Sequence, residues 1–352
     1  MTPHGSKTSR SLTLEGIGER AGVSRSTVSR VLNGHPDVRP EVRERVEAVI
    51  AETGYQPNQA ARALVSSRSG LIGLVMLTEV DELFGDPYYS ALLTGIQHGC
   101  NEHGLIFSVF PVHSTGDGSD ALTPQITQGF VDGVIVTAGP RSEPLIADLR
   151  RRNTPMVVVG RPEDDAGLIR VDVMNRAGSV AAVQHLVTHG RERIGFVGAM
   201  EEYGFGIERL DGYRSAIASA GRQVEGSLVR LDDPTPEGGH RATASLLVER
   251  PDAIFVSTDP MALGAYQALE EAGLVVGEDI AVVGFDGLPR GPEMSPKLTT
   301  VVQPVVEVGR TAVAMLASSN DEPRVAVLPT ALRVGESCGA HRPDNGSPQD
   351  GP

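Results

Sequence analysis

Two cysteines in 352 residues, Cys100 and Cys338, are too few for a disulfide framework and too far apart for a metal cluster of the usual close spacing. A buried free thiol is expected at each. No run of about 18 uncharged apolar residues is present to cross a bilayer. The start, Met1-Thr-Pro-His-Gly-Ser-Lys-Thr-Ser-Arg10, lacks the apolar stretch of an export signal. These absences lead to a cytoplasmic chain with no membrane partner. The common catalytic signatures are missing as well. There is no P-loop, nucleophile elbow or spaced Cys/His cluster, and Gly204-Phe-Gly206 lacks the third glycine of a dinucleotide fingerprint. Neither an enzyme nor a cofactor is expected.

What remains is globular composition, 40% hydrophobic and 22% charged, which excludes a disordered, coiled-coil or collagen-like chain. The length calls for two or three domains. A net charge of -14 argues at first against nucleic acid, but the charge is unevenly placed. Residues 1–70 hold 10 Lys plus Arg against 7 Asp plus Glu, a net of +3, and the remainder holds 21 against 38, a net of -17. A basic head on an acidic body points to two jobs in one chain.

Residues 1–11 and 339–352 lack apolar periodicity and are expected to be loose tails. Between 12 and 57 the pattern is helical in short pieces. Thr13 can cap a helix carrying Leu14, Ile17 and Ala21, Gly22 breaks it, and Ser24 caps a second helix through Val31. A third follows Pro40, with Val42, Val46, Val49 and Ile50 on one apolar stripe. Residues 58–70 read as a short hinge helix and linker, too short to be stable alone in water. From Leu71 to 338, apolar runs alternate with amphipathic stretches. The runs are Leu71–Leu77, Ile106–Phe110, Gly133–Thr137, Met156–Val159, Ile194–Val197, Ala253–Val256 and Ile280–Phe285; the helical candidates are 88–102, 142–152, 176–189, 207–220, 237–249 and 260–272. Such strands belong to parallel sheets covered on both faces. There are too many for one sheet, so two lobes are expected with a ligand cleft at the strands' carboxyl ends, 71–172 plus 303–325 and 173–302 plus 326–338.

The strongest motif is Ala21-Gly-Val-Ser24 leading into Thr27-Val-Ser-Arg-Val-Leu-Asn33. The turn lets two helices cross closely, and the second presents Ser24, Arg25, Ser26, Ser29 and Arg30 outward while Val28, Val31 and Leu32 face the core. Arginine on such a helix can fork onto guanine, and small hydroxyls can bond phosphates. With Val42-Arg-Glu-Arg-Val46 and Gly54-Tyr-Gln-Pro-Asn58, this stretch resembles the DNA-binding head of the lactose-repressor and galactose-repressor (LacI/GalR) family of bacterial transcription regulators. The resemblance runs on to about Glu336 through Asp86-Pro-Tyr-Tyr89, His185-Leu-Val-Thr-His-Gly190, Arg209-Leu-Asp-Gly-Tyr213, Asp259-Pro-Met-Ala-Leu-Gly264, Val283-Gly-Phe-Asp286 and Leu298-Thr-Thr300. It implies an α plus α/β fold: a helix-turn-helix head and hinge helix, then a two-lobed effector body of the type I periplasmic-binding kind.

Residue by residue, the resemblance implies that Arg25, Ser26 and Arg30 read base edges. Ser24, Thr27, Ser29, Asn33 and Asn58 would hold the phosphate register. Ala61 and Leu64 would lie in the minor groove, Leu64 as a wedge that bends the duplex; an apolar contact between paired hinge helices is the other reading of Leu64. In the body it implies an effector site of Phe84, Tyr88, Tyr89, Arg209, Thr258 and Asp286. An arginine facing a carboxylate suits a polyol, and aromatic rings suit the apolar face of a sugar, although the tyrosines could equally pack the helix that follows. Thr258 and Gly160 depart from relatives that place an amide and a carboxylate there. Asp259 reads as a helix cap. His185 and His189, at i and i+4 with no third ligand in sight, read as a helix face rather than a metal site.

These expectations describe a homodimeric repressor of carbohydrate genes on a near-palindromic DNA operator, released by a small sugar. No leucine heptads follow Glu336 to build a tetramer. A purine-responsive corepressed regulator is the alternative within the family. A solute-binding sensor that has lost DNA binding is the alternative from another class.

Overall fold

The structure is a computed structural model that describes residues 13–32, 34–55, 69–76, 85–111, 126, 130–139, 142–288, 294–318 and 324–339. The chain divides into two compact units, Met1–Ser69 and Gly70–Pro352. In the first unit, helices α1 (Leu14–Ala21), α2 (Arg25–Leu32) and α3 (Pro40–Thr53) enclose one small core. Ile17, Ala21, Val28, Val31 and Val46 are buried in it, with Leu14, Leu32, Val49, Ile50 and Tyr55 packed around them. Thr13 accepts from the Gly16 amide at the start of α1, and Gly22 ends that helix with φ 65°, the left-handed conformation that favours glycine. The hinge lies outside the described residues.

The second unit holds two six-stranded sheets. Its elements are β1 (Leu71–Met76), α4 (Pro87–His103), β2 (Ile106–Pro111), β3 (Gly133–Thr137), α5 (Glu143–Arg151), β4 (Met156–Val159), β5 (Arg170–Val173), α6 (Asn175–Thr188), β6 (Ile194–Ala199), α7 (Gly204–Ser219), β7 (Val229–Asp232), α8 (Pro236–Leu246), β8 (Ala253–Val256), α9 (Asp259–Glu271), β9 (Ala281–Asp286), β10 (Thr299–Val302), α10 (Val305–Ala317), β11 (Val325–Leu328) and β12 (Ala331–Arg333). The first sheet runs β11-β5-β4-β3-β1-β2 and the second β12-β10-β9-β8-β6-β7. Every pairing is parallel except β10 with β12. In each sheet the strand order reverses beside the lobe's first strand, at β1/β3 and at β6/β8. That reversal opens a crevice at the carboxyl ends, where doubly wound sheets bind ligands.

Apolar side chains fill both faces of both sheets, in two clusters per lobe. The chain passes between lobes three times, after Val173, after Val302 and after Leu328. The last crossing corrects the expected boundary at 325, because β11 pairs with β5 through Leu328. Most of the strands absent from the sequence reading share a cause. β5 and β7 carry charged residues, β10 begins with two threonines, and β12 is three residues ending in arginine, so none of these shows a clean apolar run; β11 is apolar but lies at a sheet edge, half exposed. Helix α10 is rich in valine, a poor helix former. It holds because Val305, Val308, Ala312 and Val313 are buried against α4 and the first sheet.

Candidate functional site

The polar face of α2 follows from how α1 and α2 cross. A Cβ on Gly18 would stand 2.7 Å from the Val23 carbonyl oxygen, so only glycine lets the turn close here. The Val23 amide donates to the Gly18 carbonyl at 2.9 Å. With Val28 and Val31 turned inward, Ser24, Arg25, Ser26 and Arg30 are exposed, and Thr27 and Ser29 are half-buried. Ser24 caps the helix by accepting from the Thr27 amide at 3.2 Å, and its hydroxyl lies 2.8 Å from that of Ser26. Arg25 pairs with Glu15 of α1 at 3.1 Å, both side chains more than half exposed. Such a pair is worth about 0–1 kcal/mol, so a guanine or phosphate can take the guanidinium over. Asn33, Asn58, Ala61 and Leu64 lie outside the described residues.

In the second unit, a cleft of about 810 Å³ opens between the lobes at the carboxyl ends of β3, β4, β5, β8 and β9. That is the upper part of the size range of small-molecule sites, about 300–1,000 Å³. Its floor is a buried polar network. Arg209 of α7, 3% exposed, donates from Nε to Asn175 at 2.9 Å and from Nη1 to Asp286 at 3.0 Å and to the Ser257 carbonyl. Its guanidinium lies 3.7 Å from the Phe285 ring centroid and 4.8 Å from that of Phe205. Asp286 also accepts from the Gln303 amide and, at 3.2 Å, from the Asp259 backbone amide. It sits at φ 124°, a conformation that costs an L residue about 1–3 kcal/mol and persists only where its surroundings impose it.

The carboxyl groups of this floor are cut off from water. Burial pushes Asp172 up to about 6, opposed by the Val173 amide that donates to it. Burial and then the nearby Asp286 charge push Asp259 up to about 8. Burial raises Asp286 too, while Arg209 and Gln303 pull the other way. Tyr88 is raised by burial, then by Tyr89 and the carboxylates of Asp286 and Asp172, so its phenol stays a neutral donor. Tyr88 and Tyr89 meet edge to face at 5.6 Å on one wall, and Tyr203 and Phe205 stand on the other.

Residues 13–58 match the model of bacterial regulatory proteins of the lacI family, and residues 183–338 match the periplasmic binding protein-like domain. The transcriptional regulator CelR of Thermobifida fusca is 36% identical over 333 residues, covering 92% of this chain and 98% of that one. This chain belongs to the LacI family. A solved complex of CelR with cellobiose superposes with TM-score 0.74 at 34% identity over 92% of this chain and 99% of that one. The lac repressor dimer, bound to operator and the anti-inducer ONPF, superposes with TM-score 0.78 at 28% identity over 94% of this chain and all of that one. The LacI-family chain is a sequence-specific DNA-binding transcriptional regulator, and none of its described helices is long and apolar enough to cross a membrane.

Of the effector residues expected from its sequence, this LacI-family regulator lines the cleft with Tyr88, Tyr89, Arg209, Thr258 and Asp286; Phe84 lies outside the described residues. Two roles change. Arg209 and Asp286 do not face each other across open space, because they form a buried ion pair that a ligand would have to share. The cap of α9 is Thr258, which accepts from the Met261 amide at 3.2 Å. Asp259 instead accepts from the Thr300 hydroxyl at 2.7 Å and the Leu288 amide at 2.9 Å, tying together the ends of β9 and β10. Gly160 has φ 93°, which explains the lack of a side chain there.

Sequence reasoning missed Asp172, Asn175, Gln303 and Phe205. Asn175 and Gln303 stand just beyond two of the three crossings between lobes and bond directly to Arg209 and Asp286. The available signal was a polar residue just past a β-branched stretch, as in Val171-Asp-Val-Met-Asn175 and Val301-Val-Gln303.

Proposed function

We propose that the chain is a dimeric repressor whose operator is read by Arg25, Ser26 and Arg30 and which is released when a small saccharide enters the inter-lobe cleft. Ser24, Thr27, Ser29, Asn33 and Asn58 hold the phosphates, and Ala61 and Leu64 enter the minor groove. The observation that carries the effector reading is the buried network of Arg209, Asp286, Asn175 and Asp172 under aromatic walls. Alternating donors and acceptors beneath flat rings match a polyol ring, whose hydroxyls both donate and accept. The regulator CelR binds cellobiose in its solved complex, so cellobiose is the first ligand to test. Because Asn175 and Gln303 join this network to the crossings, occupancy changes the lobe angle, and the coupling to operator affinity is about 1–3 kcal/mol.

The test is thermal unfolding of the full chain against sugars and purines, with operator release measured in parallel. A ligand at 100 times its Kd should add about 2.7 kcal/mol. Stabilisation by a purine, with tighter operator binding, would replace the sugar reading. Asp286→Ala is a poor probe, since stripping one partner from a buried pair costs about 3–5 kcal/mol. Asp286→Asn keeps the volume and one acceptor oxygen for Arg209 and Gln303, at the loss of the acceptor for the Asp259 amide. It should bind operator as the parent does and lose the ligand response; an unchanged response removes Asp286 from the site.

A further inference from the structure

His185 and His189 lie at the carboxyl end of α6, one turn apart, with ring centroids 4.2 Å from each other. The fold brings a third group to them that sequence spacing does not show. Cys338, 3% exposed, follows β12 on the segment that closes the second lobe. Ligand atoms of His185, His189 and Cys338 all lie within 4.8 Å of one another.

Three details mark this cluster as more than packing. His185 Nε2 is shut off from solvent and has no hydrogen-bond partner, a state that buried nitrogens avoid unless another ligand satisfies them. His189 donates from Nδ1 to the His185 carbonyl at 2.8 Å, which fixes the orientation of its ring. Anchoring of one ring nitrogen by a backbone carbonyl is how metal-bound histidines are usually held. The Cys338 thiol makes a weak 3.9 Å contact to the Gly335 carbonyl, so an ion taking the sulfur displaces little hydrogen bonding.

We infer that His185, His189 and Cys338 form a structural binding site for a zinc-class divalent ion, which clamps the end of α6 to the segment after β12. One thiolate and two imidazoles suit a borderline-soft ion and not magnesium or calcium. The ion takes Nε2 of both rings and the sulfur, the thiol proton passes to solvent, and water completes a tetrahedron. Metal–nitrogen distances of about 2.0–2.1 Å and a metal–sulfur distance of about 2.3 Å require the three side chains to draw in by about 1 Å. His185 and His189 are only partly buried, so the ion has a way in. The site is separate from the cleft, although α6 reaches from it to Asn175 on the cleft floor.

The test uses the full chain, reduced and stripped with a chelator, titrated with Co(II) and then with Zn(II). One Co(II) per chain should bind with a thiolate-to-cobalt charge-transfer band and the ligand-field bands of four-coordinate cobalt, and Zn(II) should bleach both. Zn(II), but not Mg(II), should raise the unfolding temperature. Cys338→Ser and His189→Gln should each lose the charge-transfer band, and Cys100→Ser should keep it. Saturating Co(II) that produces no thiolate band in the parent chain overturns the site, whatever the variants do. So does a band that survives Cys338→Ser or depends on Cys100.

Discussion

Arg25 stands on an exposed helix face, tied to Glu15 by a solvent-screened pair, so its loss should leave the head folded. Arg25→Ala should cost about 1–3 kcal/mol on the cognate operator and relax preference at one base pair per half-site. Equal loss on all sequences, measured by competition binding, would make Arg25 a phosphate contact. Asp172 shows how burial turns a residue into a pH-sensitive one. Its carboxyl is raised from 3.8 to about 6 in the fold, so the folded state binds its proton more tightly than the unfolded chain does. This group therefore supports the fold below about pH 4, and that support is lost as pH rises through about 6. Asp172→Asn keeps an acceptor for the Val173 amide, donated at 2.7 Å, and removes the titration. Chemical unfolding from pH 4 to pH 7 should show the parent losing up to about 3 kcal/mol relative to the variant. Parallel curves would refute the buried-carboxyl account. Arg209 and Asp286 were legible in the sequence because family motifs surround them. Asp172, Asn175 and Gln303 were not, since their role depends on burial and on which strand ends meet.

At the scale of elements, close crossings decide more than propensity. Alanine favours a helix over glycine by about 1 kcal/mol, so Gly18→Ala would stabilise an isolated α1. In the folded head its methyl would press on the Val23 carbonyl at 2.7 Å, and overpacking of this kind costs about 1–3 kcal/mol. The clash outweighs the propensity gain, so the variant should melt earlier and bind operator more weakly. Calorimetry of the full chain checks the sign, and a rise in the head transition would show that the turn can relax. The same logic joins α4 to α10 in the first lobe, where a Cβ on Gly95 would sit 2.0 Å from the Val306 carbonyl and one on Gly309 would sit 2.5 Å from that of Leu92. The runs that read clearly as strands, such as Met156–Val159 and Ala253–Val256, are central and buried on both faces. The edge strands β7, β11 and β12 and the valine-rich α10 did not read clearly, because their identity comes from pairing and packing partners far away in sequence.

For the whole molecule, the charge division sets how it meets DNA. A head near +3 carries the contact and a body near -17 repels phosphates, so operator binding should rest on a small set of contacts. The observed association constant should fall with salt at about 0.9 log units per log unit of salt for each phosphate neutralised. An affinity that does not change between low and physiological salt would mean that the head makes no phosphate contacts. The sequence alone determined the domain order, the helix-turn-helix head and the doubly wound character of the body, because each rests on local signals: caps, a turn glycine and apolar periodicity. It also pointed to Arg209 and Asp286, which the structure brings together at the inter-lobe cleft. Only the tertiary structure decided that these two are already paired, that the lobes exchange strands as far as Leu328, and that Cys338 stands beside His185 and His189. These facts concern residues tens to more than a hundred positions apart, whose proximity is set by sheet order and packing and leaves no periodic trace along the chain.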